Sequence, residues 1–172
     1  MQIRFMCDAI LGTLAKNLRL FGFDTQFVGE LEKEMFGNPT DESFESLPDV
    51  KILEMAIESN RIVLTKDEGF ALRDPERVVL IEGATDREHF AFLKEKMNLT
   101  FIFDQAKSRC YKCNQIVESV SKAEIKDKVK ENTYLSFNEF YQCPSCSQVF
   151  WMGSHFQNEE NGILSKFKGL LD

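Results

Sequence analysis

The apolar positions of this chain follow two spacings that alternate up to about residue 103. A short, mostly apolar run at 3–7 predicts a first strand, and unbroken apolar runs at 62–64 and 78–81 are typical of strands that are covered on both faces. Between them, apolar residues recur at helical spacing, first in the set Leu11, Leu14, Leu18 and Phe21. Strands that alternate with helices predict an α/β fold with right-handed crossovers and a mostly parallel sheet between helical layers.

The same pattern predicts the remaining elements. We expect strands at 25–28 and 100–103, a helix at 49–59, and a further helix marked by Phe90, Leu93 and Met97. Near the end of the chain, a helical stripe predicts a docked amphipathic helix, with a dimer contact as the alternative. The stripe consists of Ile163, Leu164, Phe167, Leu170 and Leu171.

Residues 30–48 interrupt the alternation with an acidic segment that contains two prolines and a single base, Lys33. Its acids are Glu30, Glu32, Glu34, Asp41, Glu42 and Glu45. Loops of this length are functional or disordered. Two interpretations stay open: a solvated, mobile insert, or a site for a protein partner.

Composition limits the classes of protein. The 172 residues suffice for a buried core with a small appendage, and no apolar run is long enough to span a bilayer, so we expect no membrane partner. The first residues resemble a strand rather than a signal peptide, which predicts a cytoplasmic protein. The formal net charge of −7 gives no overall attraction to nucleic acid, so binding of RNA would need a local basic patch and cations.

Two Cys-x-x-Cys pairs give the most specific chemical signal. They are Cys110 with Cys113 and Cys143 with Cys146, a spacing that predicts a tetrahedral structural Zn²⁺ site. Metal-free turns or two disulfides are the alternatives, but thiols stay reduced in a protein that is not exported. The fifth cysteine, Cys7, lies in an apolar run and is predicted to be a buried small hydrophobe.

Acids follow the predicted strands. Asp8 follows the first strand directly, Asp67 follows the third by two residues, and Asp49 opens the intervening helix. Since parallel strands end at one edge of a sheet, the three carboxylates could meet there around Mg²⁺ or Mn²⁺. Each acid also stands where an N-cap would, and aspartate is among the best N-cap residues. The spacing leaves both interpretations open.

A family resemblance adds to this evidence. The stretches 6–25 and 61–67 resemble the first two motifs of the PIN-like family named for the C-terminal RNase-like domain of the Mut-seven exonuclease. The stretches 108–114, 141–146 and 149–155 are similar to its zinc ribbon and to the Trp-x-Gly-Ser-His that closes it. The resemblance implies a PIN-like three-layer α/β/α core followed by a small zinc ribbon with four cysteine ligands.

The resemblance also implies a site. Asp8, Asp49 and Asp67 match the family's acidic positions, and Asp86 is the candidate for the fourth, with Glu82 as the fallback. Asp8, Asp49 and Asp67 would hold Mg²⁺ or Mn²⁺ for hydrolysis of RNA phosphodiesters, with single-stranded RNA as the expected partner. Two departures are the lysine at position 66, where arginine is common, and the longer acidic segment.

Basic residues supply candidate RNA contacts. Those predicted are Lys16, Arg19, Lys66, Arg109 and Lys112. Lys16 and Arg19 are neighbours on the first helix, and an ordinary solvated helix face is the alternative for both. Trp151 either packs the ribbon on the core or offers a stacking surface. We expect His89 to be a surface residue without a catalytic part.

We therefore predict a core over 1–105 that includes the acidic insert at 30–48, a zinc ribbon over 106–156 and a C-terminal helix or tail over 157–172. Two functions remain in play. One is a metal-dependent ribonuclease with a structural zinc ribbon, and the other is a non-catalytic RNA- or protein-binding module whose acidic site is weak or silent. A dependence on Mg²⁺ or Mn²⁺ separates them.

Overall fold

A four-stranded parallel sheet forms the centre of the computed structural model, which describes residues 3–38, 40, 44–153, 156, 158 and 162–172. Its strands are β1 (Arg4–Cys7), β2 (Asp24–Phe27), β3 (Ile62–Thr65) and β4 (Val78–Leu80). They are ordered β2-β1-β3-β4, and every adjacent pair is parallel. This confirms the α/β class and the parallel sheet that the apolar runs predict.

Five helices accompany this sheet. They are α1 (Gly12–Leu20), α2 (Val28–Phe36), α3 (Asp49–Glu58), α4 (Glu68–Ala71) and α5 (Asp86–Met97). Successive side chains of a strand point to opposite faces, and the core divides accordingly. Phe5 and Cys7 join a cluster with residues of α1 and α5, whereas Met6 joins another with residues of α3 and α4. Cys7 is fully buried, as predicted.

The predicted strand at 100–103 is absent from the sheet. Phe101 is buried, but its backbone N–H donates to the Asp172 carboxylate at 2.9 Å, and its carbonyl accepts from the Asp172 N–H at 3.1 Å. The end of the chain thus satisfies the backbone groups that a neighbouring strand would otherwise have paired. The prediction was wrong because an apolar run records burial and not the identity of the hydrogen-bonding partner.

The acidic segment is also more ordered than the insert predicted at 30–48. Its first part, up to Phe36, belongs to α2. Glu32 is buried and accepts the backbone N–H of Leu47 at 2.8 Å. Asp41 and Glu42 lie outside the described residues. Part of the segment is therefore packed structure, and its role as a partner site stays a prediction.

The second half of the chain builds an antiparallel sheet from β5 (Glu118–Val120), β6 (Phe140–Gln142) and β7 (Val149–Phe150), with α6 (Glu131–Ser136) between β5 and β6. Two small clusters fill it, one around the cysteines and one around Phe140. The predicted domain limits at 105 and 156 remain predictions.

The C-terminal stripe packs on the core, but it is not a long helix. Only Leu164–Phe167 forms a short 3₁₀ helix. Phe167 is fully buried, with its ring centroid 4.4 Å from that of Phe90 and 5.3 Å from that of Phe21. Within the described residues, no helix combines the length and hydropathy needed to cross a bilayer.

Candidate active site and cysteine metal centre

Asp8 lies at the carboxyl end of the central strand. Its backbone N–H donates to Leu64 at 3.0 Å, which extends the pairing of β1 with β3. One carboxylate oxygen accepts the Ala9 N–H at 2.7 Å and caps the 3₁₀ helix Ala9–Leu11. The other accepts the Thr65 hydroxyl at 2.7 Å. The carboxylate is therefore held in one orientation at the strand edge.

Thr65, the last residue of β3, is fully buried and connects two of the predicted acids. While its Oγ1 donates to Asp8, the same oxygen accepts the backbone N–H of Asp67 at 3.0 Å. Asp67 then caps α4, its Oδ1 accepting the Phe70 N–H at 2.8 Å. Asp8 and Asp67 are thus brought to one edge through a single hydroxyl, and both also act as N-caps.

Asp49 and Asp86 are each the first residue of their helix rather than its cap. Pro48 occupies the N-cap of α3, and the Asp49 carboxylate pairs with Arg73 at 3.3 Å. Thr85 caps α5 in a capping box with Glu88, and Asp86 pairs with Lys166 at 3.8 Å. The capping alternative was therefore wrong for Asp49. The fallback, Glu82, is exposed in the loop after β4.

The four acids do not form a close ligand set. Among the described residues, the group of three or more potential ligands that lie within 4.8 Å of one another consists of cysteines, not carboxylates. Two carboxylates are nevertheless sufficient for Mg²⁺, which keeps several waters and uses one or two protein carboxylates. Asp8 and Asp67 each keep lone pairs beyond their hydrogen bonds, and their binding of a metal ion stays a prediction.

Lys66 and His89 share one acceptor beside these acids. Lys66 Nζ donates to the Gly83 carbonyl, and His89 Nε2 lies 3.3 Å from the same oxygen. His89 is buried, so the expectation of a surface residue was wrong. Burial lowers the pKa of His89, and the neighbouring Lys66 charge lowers it further. Both effects favour the neutral form of the imidazole.

The cysteines form two turns of the same construction. In the first, the Cys110 N–H donates to the Gln115 carbonyl at 2.8 Å and the Cys110 carbonyl accepts the Asn114 N–H at 2.9 Å. In the second, Cys143 makes the equivalent bonds with Gln148 at 2.9 Å and Ser147 at 3.0 Å. Asn114 and Ser147 both adopt positive φ, of 60° and 59°. Each turn thereby directs its two thiols to the same side.

The sulfur positions fit zinc. All four Sγ atoms lie within 4.8 Å of one another, and those of Cys110 and Cys146 are 3.7 Å apart. A regular tetrahedron with Zn–S bonds of about 2.3 Å has sulfur–sulfur edges of about 3.8 Å. The cysteines are free thiols in the described structure, so the disulfide alternative is not what the chain adopts. Four thiolates would complete the coordination sphere and leave no position for a substrate.

The thiols differ in acidity. Burial raises the pKa of Cys113 to about 12, with the neighbouring thiols adding to the shift. Burial also acts to raise the pKa of Cys146, but the Gln148 N–H and the thiols that donate to it hold that pKa at about 7. The cluster therefore already favours one thiolate, which is the form that binds a metal.

Arg19 connects the cysteine turn to the parallel sheet. It is 1 % exposed, and its guanidinium forms a bidentate pair with Glu30 at 2.9 and 2.7 Å. It also donates to the Thr25 carbonyl at 2.8 Å and to the Tyr111 carbonyl at 2.7 Å. These bonds hold its guanidinium inside the protein, so the predicted RNA contact is corrected. Arg19 is a structural joint, meaning a buried side chain that connects the first cysteine turn to the parallel sheet.

The other predicted basic residues are placed differently. Arg109 is half-buried and donates to the carbonyls of Gly22 and Asn114 at 3.1 and 2.7 Å. It thus makes a second connection between the first cysteine turn and the residues that precede β2. Lys112 is exposed, 3.0 Å from Gln148 and over the Tyr111 ring. Lys16 is exposed on α1 and pairs with no described acid, and the RNA contacts predicted for both lysines stay predictions.

Sequence reasoning missed Thr65, Arg73 and Asn114. The hydroxyl of Thr65 lies between an apolar run and Asp67, which could have identified it as part of the strand edge. Asn114 donates to Asp24 at 2.6 Å and accepts the Thr25 N–H at 3.0 Å. No local signal reveals the Asn114 or Arg73 contacts, because each partner is distant in sequence. Ser154 and His155 of the closing motif lie outside the described residues.

The fold and the candidate site define an α/β protein whose parallel sheet carries acids at its carboxyl edge. A four-cysteine cluster follows this sheet in the chain. The sequence model of the Mut7-C RNAse domain family matches residues 3–163. The chain therefore belongs to the Mut7-C RNAse domain family, as the resemblance implied. Neither the curated proteins nor the solved structures gave a match.

Proposed function

We propose that the protein is a metal-dependent ribonuclease with a PIN-like core, in which the cysteine cluster holds a structural zinc ion. The observation that carries the proposal is the pair of acids joined through Thr65 at the carboxyl edge of the parallel sheet. That edge is where open parallel sheets bind ligands. Membership of an RNAse domain family supplies the reaction class.

In this proposal, Asp8 and Asp67 bind the divalent cation directly. Asp49 and Asp86 contribute their carboxylates to the site from the first turns of α3 and α5. A Mg²⁺ or Mn²⁺ ion held there supplies an activated water and neutralises charge on the phosphate. Thr65 fixes one oxygen of the Asp8 carboxylate and the Ala9 N–H fixes the other, and each oxygen keeps a lone pair for the ion. Lys66, beside the site, supplies positive charge to the RNA backbone.

The ion pairs of Asp49 and Asp86 support a rearrangement of these side chains when the divalent cation binds. Both are partly exposed pairs, with side-chain exposures of 37 % for Asp49 and 21 % for Asp86. Exposed ion pairs contribute at most about 1 kcal/mol, so Arg73 and Lys166 can be displaced by a doubly charged cation. The released Arg73 and Lys166 would then be free to meet phosphate.

A second candidate, a non-catalytic binding module, is favoured by the spread of the carboxylates, which do not form a close group. Here the zinc cluster and the exposed Lys112 and Tyr111 would carry binding of RNA or of a protein, and the acids would serve as N-caps and ion pairs. Such a module would need its zinc but would have no specific requirement for Mg²⁺ or Mn²⁺.

The test is cleavage of end-labelled single-stranded RNA by zinc-loaded protein with Mn²⁺, with Mg²⁺ and without added divalent cation. Asp8→Asn should abolish cleavage, and Asp127→Asn, at an exposed aspartate of the second half, is the matched control. Thermal unfolding and zinc content of each variant establish that the fold is intact. Equal cleavage by Asp8→Asn and wild type, or none by folded protein with either metal, rejects the enzyme in favour of the binding module.

A further inference from the structure

A large cleft separates α1 from the antiparallel sheet, away from the acids. Its volume is about 620 Å³, within the range of about 300–1,000 Å³ that small-molecule sites occupy. The α1 wall carries Thr13, Lys16, Asn17 and Leu20. The cleft therefore begins two residues after the short helix that Asp8 caps, and it runs along α1 from there.

The opposite wall is aromatic. Tyr111, Phe150 and Trp151 line the cleft and are only partly buried, with Tyr111 38 % exposed. The Tyr111 and Phe150 rings meet edge to face at 84°, with their centroids 6.0 Å apart. Edge-to-face packing fixes the two rings relative to each other. Aromatic side chains in such positions are the surfaces on which proteins stack RNA bases.

Two polar groups of the lining lack partners. The amide nitrogen of Asn17 and the carbonyl oxygen of Gln105 are buried, and neither has a hydrogen-bond partner among the described residues. Both residues line the cleft. Buried polar atoms are almost always satisfied, so two orphans in one cleft need an explanation. One is a donor and the other an acceptor, and since neither atom is exposed, each side chain would have to rotate to meet the edge of a heterocyclic base.

Charge adds to this chemistry. Lys16 is exposed at the cleft and pairs with no described acid, in a chain whose net charge is −7. A free cation beside stacking rings suits the phosphate of a nucleotide whose base lies inside. An uncharged apolar ligand would use the rings but would leave Lys16, Asn17 and Gln105 without a role.

We propose that this cleft is a base-binding subsite that takes one nucleobase of a single-stranded RNA, with Asn17 and Gln105 on its polar edge and Lys16 on its phosphate. The choice of RNA as ligand rests on the proposed ribonuclease function. The site itself lies outside the acidic edge. The subsite would hold the RNA along α1 while another phosphodiester lies at Asp8.

The test uses Trp151, the one tryptophan of the sequence, as a probe inside the cleft. Zinc-loaded wild-type protein, without added Mg²⁺ or Mn²⁺, is titrated with each of the four common ribonucleoside 5′-monophosphates and with ribose 5-phosphate. N-acetyltryptophanamide corrects for light absorbed by the bases. At least one nucleotide should quench Trp151 emission saturably, and ribose 5-phosphate, which has no base, should not.

Variants assign the subsite to its residues. Asn17→Leu should weaken nucleotide binding about ten-fold, equivalent to about 1.4 kcal/mol, without lowering the midpoint of urea unfolding, because no internal bond is lost. Lys16→Ala should weaken it too. Gln115→Leu, an exposed amide on the first cysteine turn, and Lys96→Ala on α5 are the matched controls.

The outcomes separate the two proposals. Saturable quenching that survives in Asp8→Asn supports the subsite. The same result in a protein that cleaves no RNA supports the subsite and leaves the nuclease proposal to be judged by the cleavage test. Absence of saturable quenching by every nucleotide overturns the subsite even if RNA is cleaved. An Asn17→Leu variant that unfolds more easily and binds nucleotides like wild type also overturns it, since Asn17 would then have a structural role only.

Discussion

The Thr65 hydroxyl lies 2.7 Å from the Asp8 carboxylate and accepts the Asp67 N–H at 3.0 Å, so one side chain sets the positions of two acids. Its orientation is fixed because Thr65 is fully buried at the end of β3. The acidic edge therefore depends on a neutral residue that could not itself serve as an acid or a base.

Thr65→Val should lower RNA cleavage about ten-fold or more, because the Asp8 carboxylate loses a hydrogen bond of a kind that contributes about 1.5–3 kcal/mol. Thr65→Ser keeps the hydroxyl and should retain most of the activity. Steady-state cleavage rates at saturating metal provide the measurement. Equal rates for the Val and Ser variants would contradict a positioning role for this hydroxyl.

Arg19→Met should lower the free energy of unfolding by about 3 kcal/mol, since the carbonyls of Thr25 and Tyr111 would be left without their donor. Lys16→Met removes the same charge from an exposed position on the same helix and should change stability by less than about 0.5 kcal/mol. Urea denaturation measures both. Similar losses in the two variants would show that Arg19 is not the joint described above.

Purified protein should contain a single zinc ion per chain, and Cys143→Ser should lose it, because three thiolates leave the tetrahedral site incomplete. Cys7→Ala is the matched control: its thiol is buried in the parallel-sheet core, and burial raises its pKa, so it should keep the zinc. Elemental analysis of dialysed protein decides. Full zinc content in Cys143→Ser would refute the assignment.

Asp24 should contribute stability at neutral pH that is lost in acid. Burial acts to raise its pKa, but hydrogen bonds from Arg61, Asn114 and Arg4 outweigh this and lower the pKa from 3.8 to about 2. Because the folded pKa is the lower one, the contribution is complete above the unfolded pKa and declines as pH falls from about 4 through about 2.

Asp24→Asn should therefore be less stable than wild type near neutral pH and should show a shallower fall in unfolding free energy between pH 4 and 2. Urea midpoints across that range provide the comparison. Asp127→Asn, at the exposed aspartate already used as a control for cleavage, is the reference. Parallel pH profiles for wild type and Asp24→Asn would exclude Asp24 as the source of the acid sensitivity.

The sequence predicts what periodicity and spacing record. Buried runs at β1, β3 and β4 reveal the parallel sheet, and Cys-x-x-Cys spacing reveals the cluster, because both signals are local. The strand expected at 100–103 is instead bonded to Asp172, and the exposed cation expected at Arg19 is a buried joint. Both errors involve partners far away in the chain, which local patterns do not contain. Topology predicts where the acids lie, but the hydrogen bonds by which Thr65 connects Asp8 and Asp67 are evident only from the three-dimensional structure.

The Asn114 and Arg19 contacts with Thr25 have a consequence for the solubility of the metal-free protein. β2 is an outer strand of the sheet, and Asn114 accepts the Thr25 N–H while Arg19 donates to the Thr25 carbonyl. Unpaired groups on an edge strand are templates for pairing with another chain. Asn114 belongs to the first cysteine turn, so loss of the metal would free the Thr25 N–H of this edge, while the Thr25 carbonyl keeps its bond from Arg19. Chelation should therefore promote aggregation through β2 before the parallel sheet itself unfolds.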